Sequence, residues 1–346
     1  MKLLLPLGLA TLLAGPTCAQ TCQVAGTIAG IGAKPIIFRY ARQGKLRRDT
    51  VRAVNDRFTY TAQPSDDGQI ALIAGMPYQY FWYEPGKLTV TGTAAQPNRL
   101  TIVGTPENTT YNQYQREVEW KFAEAQRAQP TAKAQLATQE AQAIQQFIKA
   151  HPGSKVSAYV LYWQTFADEQ PLAEYERLLA ALTPAVRQST QGQAAAKRLT
   201  TLRNQPTLGR EVPNFTVADT AGTKHSLATY RGQYVLLDFW GHWCIPCLRS
   251  VPKLQALHAQ YAAKLAIIGI AMEDASDGKL WKQAIRQHHV PGLQLSELQQ
   301  ANGPVISGYN VTAFPTYMLL DPQGRLVARS NDVDDITKKL ATLGNL

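Results

Sequence analysis

A short apolar strand that leads directly into two closely spaced cysteines constrains this chain more than any other feature. Residues 234–240 read Tyr-Val-Leu-Leu-Asp-Phe-Trp, which is typical of a central strand covered on both faces. The segment Trp243-Cys244-Ile245-Pro246-Cys247 follows at once. Because Pro246 suits the first turn of a helix, we expect a helix to begin near Cys244.

Two cysteines three residues apart at a helix start can form a short disulfide. The unpaired N–H groups and the dipole of the helix favour negative charge there, so they lower the pKa of the first thiol. The thiolate is the attacking species in disulfide exchange. We therefore predict that Cys244 attacks and that Cys247 resolves the mixed disulfide.

Other uses of this cysteine pair fit the sequence less well. A zinc site needs a second pair of ligands, and the only dense histidine pair is His288-His289, whose adjacent side chains would diverge on a helix. Haem attachment needs a histidine directly after the second cysteine, where this chain has Leu248. A purely structural disulfide stays open, although a four-residue loop contributes little stabilisation through chain entropy.

Three neighbouring residues favour redox chemistry. Asp238 interrupts the apolar run, and burial would raise its pKa so that it could take a proton from Cys247; a surface position at the strand end is the alternative. Pro252 falls inside the expected helix and should kink it. Pro315 follows Phe314 at a strand start, where a cis bond would bring backbone groups beside the cysteines; an ordinary trans proline is the alternative.

The chain divides into zones of different composition. Residues 20–111 hold short apolar runs between turn signals, which predicts an antiparallel β domain resembling a sandwich. Residues 112–205 are rich in helix formers and predict a helical region. Residues 206–346 alternate strands with helices, which predicts an α/β domain.

The first residues predict export. A basic start, an apolar run from Leu3 to Leu13 and a small residue at Ala19 indicate a signal peptide over residues 1–19; a buried first helix is the alternative. We therefore expect a periplasmic or cell-envelope location, where cysteines are oxidised. Cys22 is then a spare thiol, a lipid attachment point or an intermolecular partner.

Charge and composition limit the classes of partner. Hydrophobic residues make up 45% and charged residues 17% of the chain, which excludes a disordered protein. The net charge is +10, but residues 206–346 hold 13 Lys and Arg against 11 Asp and Glu, so most of the excess lies upstream. Several of these basic residues cluster at Arg39, Arg42, Lys45, Arg47 and Arg48. We interpret them as a solvated strand face and predict no nucleic-acid binding, while contact with an anionic membrane or envelope polymer stays open.

Several of these motifs resemble one known family. Residues 238–247, Pro252 and Phe314-Pro315-Thr316 are similar to the active-site strand and loop, the kink proline and the cis-proline segment of thioredoxins. The lead-in at 213–216 and 232–235 resembles exported TlpA/ResA-type thiol–disulfide oxidoreductases. Upstream, Phe81–Gly86 and Gly104–Asn108 resemble the β domain fused ahead of such domains in Bacteroidetes-type envelope proteins.

The resemblance implies a thioredoxin-like fold for the last zone and a role for each motif residue. Cys244 would be the nucleophile, Cys247 the resolving thiol, Asp238 the buried proton acceptor and Pro315 the cis-proline beside the disulfide. Substrate would contact Trp243, Ile245, Pro246 and Phe314.

The sequence also departs from the family pattern. Membrane-linked relatives often have asparagine at the position of Asp238 and glutamate at that of Ser250. Ile245 replaces a common glycine, and Phe314 is bulkier than usual before the cis-proline. His242 is unusual; if charged, it would favour the Cys244 thiolate and raise the redox potential, but it also fits an exposed loop residue.

We therefore predict an exported thiol–disulfide oxidoreductase that reduces protein disulfides, recharged by a membrane thiol donor, with no cofactor and no metal. A disulfide oxidase or isomerase on the same site is the first alternative. An envelope binding or assembly protein with a secondary redox domain is the second. A peroxidase fits less well, since related enzymes need threonine three residues before the attacking cysteine, where this chain has Gly241.

Overall fold

The computed structural model describes residues 21–166, 171–261 and 264–343. Contacts group the chain into two compact units, of which the first takes residues 1–164 and 177–195 as far as they are described. The second takes residues 165–176 and 196–346 in the same sense. The region 112–205 contributes to both units, and the predicted signal peptide lies outside the described residues.

Two four-stranded sheets form the first unit's β part. Its strands are β1 Cys22–Ala29, β2 Pro35–Arg42, β3 Lys45–Arg52, β4 Arg57–Ala62, β5 Gln69–Ile73, β6 Gln79–Trp82, β7 Gly86–Thr93 and β8 Thr101–Val103. The orders are β4-β1-β7-β8 and β3-β2-β5-β6. Val24 and Leu88 of one sheet share a core with Phe38 and Leu72 of the other, as in a sandwich. All neighbours run antiparallel except β1 and β7, which are parallel, so the expected antiparallel domain contains one parallel pair.

Helices begin earlier than the composition indicated. The segment after β8 contains α1 Pro106–Tyr114, α2 Trp120–Ala128, α3 Lys133–Ala150, α4 Lys155–Gln164, α5 Leu172–Ala181, α6 Pro184–Gln188 and α7 Thr190–Asn204. Helix α1 starts at Pro106 rather than near residue 112, because proline suits a first helical position. The Glu84 carboxylate also accepts the N–H of Glu107 at 2.9 Å and so satisfies one of the helix's unpaired donors.

The second unit has one mixed five-stranded sheet and a separate hairpin. Its elements are β9 Thr216–Ala218, β10 Lys224–Ser226, β11 Tyr234–Trp240, α8 Ile245–Tyr261, β12 Leu265–Ala271, α9 Gly278–His288, β13 Leu293–Ser296, α10 Pro304–Gly308, β14 Thr316–Leu320, β15 Leu326–Ser330 and α11 Val333–Ala341. The sheet order is β13-β12-β11-β14-β15, with the first three strands parallel and the last two antiparallel. This is the thioredoxin-like α/β fold that the resemblance implied.

Strand β11 is central and covered on both faces, as its composition predicted. Leu236 packs against Leu254 of α8, whereas Leu237 points to the opposite face and packs with Tyr309. Both leucines are fully buried. Since side chains alternate along a strand, Asp238 shares the face of Leu236, which places its carboxylate on the α8 side of the sheet.

The basic cluster lies on the β2–β3 hairpin, where β3 is an edge strand with mostly exposed side chains, as expected of a solvated face.

Cys22 is a buried free thiol in β1, and burial raises its pKa. Within the described part of the chain, every helix is too short or too polar to cross a bilayer.

Candidate active site

A disulfide closes the predicted cysteine pair at the start of α8. Strand β11 ends at Trp240 and the helix begins at Ile245, so the turn between them carries Cys244 to the helix N-terminus. Cys244 and Cys247 are bonded through sulfur, with Cα atoms 5.3 Å apart. The structure thus brings the two residues together as the motif predicted.

The helix N-terminus points a donor at the first sulfur. The N–H of Cys247 donates to Sγ of Cys244 over 3.2 Å, and this amide belongs to the first turn, where N–H groups lack helical acceptors. A sulfur anion would strengthen that bond and would gain from the helix dipole. The geometry therefore favours a thiolate at Cys244 after reduction.

The turn that carries Cys244 is tied to the chain that follows β12. The N–H of Met272 donates to the carbonyl of Trp240 at 2.9 Å. In return, the indole N–H of Trp243 donates to the carbonyl of Met272 at 3.2 Å. The N–H of Cys244 donates to the carbonyl of Gly241 at 3.0 Å, which closes the turn.

A buried glutamate, which the sequence analysis did not identify, binds this turn. Oε1 of Glu273 accepts the backbone N–H of His242 at 2.7 Å, and Oε2 lies 2.6 Å from Nδ1 of the same histidine. The Glu273 side chain is fully buried, whereas the imidazole keeps 20% of its surface exposed. Burial raises the pKa of Glu273, and the hydrogen bonds from His242 oppose that rise. Because the backbone N–H can only donate, the arrangement suits an ionised carboxylate.

Asp238 lies in the core, not at the surface. It is 3% exposed, and its Oδ1 has no hydrogen-bond partner among the residues that the structure describes. Burial raises its pKa from 3.8 to about 7, because the low-polarity surroundings disfavour the charged form. A group of this kind can accept or release a proton near neutral pH.

A pair of hydroxyls links the strand beside Asp238 to the helix that carries the cysteines. Tyr317 pairs with Asp238 across β11 and β14, and burial together with the Asp238 charge raises the pKa of its phenol. The Tyr317 hydroxyl lies 2.6 Å from Oγ of Ser250, which in turn donates to the carbonyl of Cys247 at 2.7 Å. Ser250 is the position at which the family pattern often has glutamate, so this chain places a hydroxyl pair there.

The residues predicted to contact substrate gather beside the disulfide. The Phe314–Pro315 bond is cis and directly precedes β14. The ring of Phe314 lies edge-on to that of Trp243, with centroids 5.6 Å apart. Trp243 is 47% and Ile245 62% exposed, and Pro246 is exposed as well. The cysteines themselves are only 4% and 3% exposed, so the apolar rim offers most of the contact surface.

No metal centre is formed by the described side chains, since nowhere in residues 21–166, 171–261 and 264–343 do three or more His, Cys, Asp or Glu side chains group as metal ligands would.

Known proteins match the second unit. The family model described as AhpC/TSA family matches residues 208–329. The thioredoxin-like protein YneN of Bacillus subtilis is 32% identical over 131 residues, which cover 38% of this chain and 74% of YneN. The thiol–disulfide oxidoreductase ResA of Bacillus thuringiensis is 32% identical over 120 residues, which cover 35% of this chain and 67% of ResA.

One solved structure illustrates the same coverage. A thiol–disulfide oxidoreductase from Bacteroides fragilis is 28% identical, covers 39% of this chain and 99% of its own, and superposes with a TM-score of 0.36. Together, the matched parts of these proteins account for about two fifths of this chain.

Proposed function

This chain belongs to the thioredoxin-like family of thiol–disulfide oxidoreductases, and from that premise we propose that it reduces disulfide bonds in other proteins outside the cytosol. The observation that carries the proposal is the Cys244–Cys247 disulfide at the N-terminus of α8, with the Cys247 N–H directed at the Cys244 sulfur. A pair placed in this way can cycle between dithiol and disulfide.

The reaction runs in two exchanges. The Cys244 thiolate attacks one sulfur of a client disulfide, which breaks the client S–S bond, forms a mixed disulfide and releases one client thiolate. Cys247 then attacks Cys244, which frees the second client thiolate and closes the enzyme disulfide. Two electrons pass from the enzyme dithiol to the client, and the two thiol protons end on the client sulfurs.

Asp238 supports the second exchange in this scheme. Cys247 must lose its proton before it can attack, and a buried carboxyl with a pKa of about 7 is suited to accept it. The Tyr317 and Ser250 hydroxyls connect the neighbourhood of Asp238 with the Cys247 carbonyl.

Clients would dock on the rim formed by Trp243, Ile245 and Phe314. These apolar side chains surround a disulfide that is itself almost fully buried. Partly unfolded proteins expose apolar segments next to their cystines, so they fit such a surface better than folded, polar ones.

After each cycle the enzyme disulfide must be reduced again. In an oxidising compartment that step needs an external dithiol, and we propose a membrane-bound thiol donor, consistent with the predicted signal peptide. A fusion of residues 1–30 to a reporter that is active only after export tests the location, and reporter activity in the cytosol alone would contradict it.

A peroxide-reducing activity is disfavoured because there is no room for a larger residue at Gly241. A Cβ atom built there would lie 2.6 Å from the Trp243 ring, so the threonine that related peroxidases need would collide with the indole.

Trapping tests the proposed reaction. The full chain with Cys247→Ser, reduced beforehand, should accumulate mixed disulfides with client proteins that carry intact disulfides, such as insulin. Cys244→Ser, treated in the same way, should form none. The unaltered chain should reduce insulin with a dithiol donor. If Cys247→Ser traps no client and the unaltered chain leaves insulin oxidised, the proposal is wrong.

The redox potential decides the direction. A value near that of thioredoxin, about −270 mV, supports the reductase, and a value near about −120 mV would instead identify an oxidant.

A further inference from the structure

Glu273 stands out because a fully buried carboxylate is unfavourable unless it is paired. Glu273 is 1% exposed, and both oxygens of its carboxylate contact His242. Neither exchange step in the proposed reaction uses this side chain. The pair therefore needs another explanation than the chemistry of the two sulfurs.

The position of the pair links it to the attacking sulfur. His242 lies two residues before Cys244, inside the turn that the Met272 segment holds by two further hydrogen bonds. The segment is itself fixed, since the carbonyl of Glu273 accepts the N–H of Gln300 at 2.8 Å. Glu273 thus connects the segment after β12 to the residue that lies two positions before the attacking cysteine.

We propose that Glu273 is a positioning residue of the redox site, which fixes the turn through the His242 amide and holds the imidazole as a cation that favours the Cys244 thiolate. A stabilised thiolate stabilises the reduced form, so the pair makes the enzyme a weaker reductant than it would be without it. The inference rests on the proposed dithiol exchange but not on its direction.

The charged groups near the carboxylate agree with this role. His242 is the basic group that contacts Glu273, whereas Asp277, at the start of α9, opposes its ionisation. An imidazolium next to the buried carboxylate satisfies that carboxylate and offsets the nearby negative charge of Asp277.

The first test is the equilibrium of the full chain with glutathione. Glu273→Gln keeps the shape of the side chain but removes its charge. We expect its constant for reduction by glutathione to fall about tenfold, which corresponds to a potential about 30 mV lower. Alkylation of reduced Cys244 against pH should shift to higher pH in the same variant. An unchanged or higher potential would overturn the proposal, because the carboxylate's own charge would then dominate.

A second variant separates charge from position. His242→Asn keeps a donor near the place of Nδ1 and keeps the backbone bond, but it can never be a cation. We expect it to lower the constant about as much as Glu273→Gln, and the double variant to lower it no further, because both act through one pair. A wild-type potential in His242→Asn would overturn the proposal, and this variant remains informative if Glu273→Gln does not fold.

The matched control is Glu297→Gln. Glu297 is a half-buried glutamate of the same unit, and its carboxylate accepts the N–H of Val305 at the start of α10. We expect its potential to equal that of the unaltered chain. Failure of all forms to exchange disulfides would refute the proposed function, whereas normal exchange with identical potentials would refute only the role of Glu273.

Discussion

Replacing Asp238 by asparagine should change how the stability of the second unit depends on pH. Asp238 is 3% exposed in the middle of β11, and its Oδ1 lacks a hydrogen-bond partner within the described residues. Asparagine has nearly the same shape but does not titrate. A comparison of the two proteins therefore isolates the free energy of ionising this buried carboxyl.

The magnitude follows from the shift in pKa, from 3.8 in the unfolded chain to about 7 in the folded one. Each unit of difference between the two pKa values corresponds to about 1.4 kcal/mol, so the full shift corresponds to about 4 kcal/mol. Because the folded pKa is the higher one, the folded state binds more protons than the unfolded state between pH 4 and pH 7. The contribution of Asp238 to stability is thus lost as pH rises through this window in the unaltered protein, and it is absent from Asp238→Asn.

The assay is urea unfolding of the oxidised full chain at five pH values from 4 to 8. Pulsed hydrogen exchange of peptides that cover β11 and β12 reports the second unit by itself. We expect the stability of Asp238→Asn relative to the unaltered chain to increase by about 4 kcal/mol from pH 4 to pH 8. A relative stability that stays constant within about 1 kcal/mol would refute the reasoning.

Asp219→Asn provides a control of opposite sign. The Asp219 carboxylate lies 2.9 Å from Nε2 of His225 and accepts two backbone N–H groups. The bond with His225 is the largest cause of the lowered pKa of Asp219, and the two backbone bonds lower it further. Its contribution to stability is present above the unfolded pKa and is lost as pH falls, so this variant should be most destabilised at high pH. The same trend in both variants would show that the pH effect does not come from Asp238.

Two further substitutions test the packing around the site. Gly292→Ala should destabilise the second unit by at least about 2 kcal/mol, because φ is +76° there and a Cβ would lie 2.2 Å from the Ile267 carbonyl oxygen. The control Gly278→Ala, where a Cβ meets nothing within 4 Å, should be near neutral. Equal urea midpoints for the two variants would contradict this reasoning. Tyr317→Phe should lower stability by about 1 kcal/mol, because it removes the buried hydroxyl that bonds Ser250; an unchanged urea midpoint would show that this bond contributes nothing.

Much of the site could be predicted because its signals are local. The apolar run of β11, the proline in the first turn of α8 and the two cysteines lie within 14 consecutive residues, so periodicity and helix-start rules place them correctly. Asp238 could be recognised as buried for the same reason, since a charged residue inside an apolar run has little chance of reaching water. Pro315 was singled out by its place after Phe314 at a strand start, where the sequence left cis and trans open and the resemblance implied cis; the bond is cis.

Other features depend on strand pairing, which local sequence does not encode. The parallel pairing of β1 with β7 joins residues about 64 positions apart, and no turn signal fixes it. The start of α1 at Pro106 depends in part on the Glu84 carboxylate, which the turn between β6 and β7 supplies.

What the sequence determined by itself is the chemistry of the site: two sulfurs at a helix start, a carboxyl inside a strand and a proline before another strand. Only the tertiary structure decided which other groups contact these residues. Glu273 is 31 residues from His242 and Tyr317 is 67 residues from Ser250. Glu273 and His242 meet because the neighbouring strands β11 and β12 end side by side. Tyr317 and Ser250 meet because α8 packs on the face of the sheet that carries Tyr317. A contact of that kind depends on the register of whole strands, which is set by burial across the entire sheet and not by any short segment.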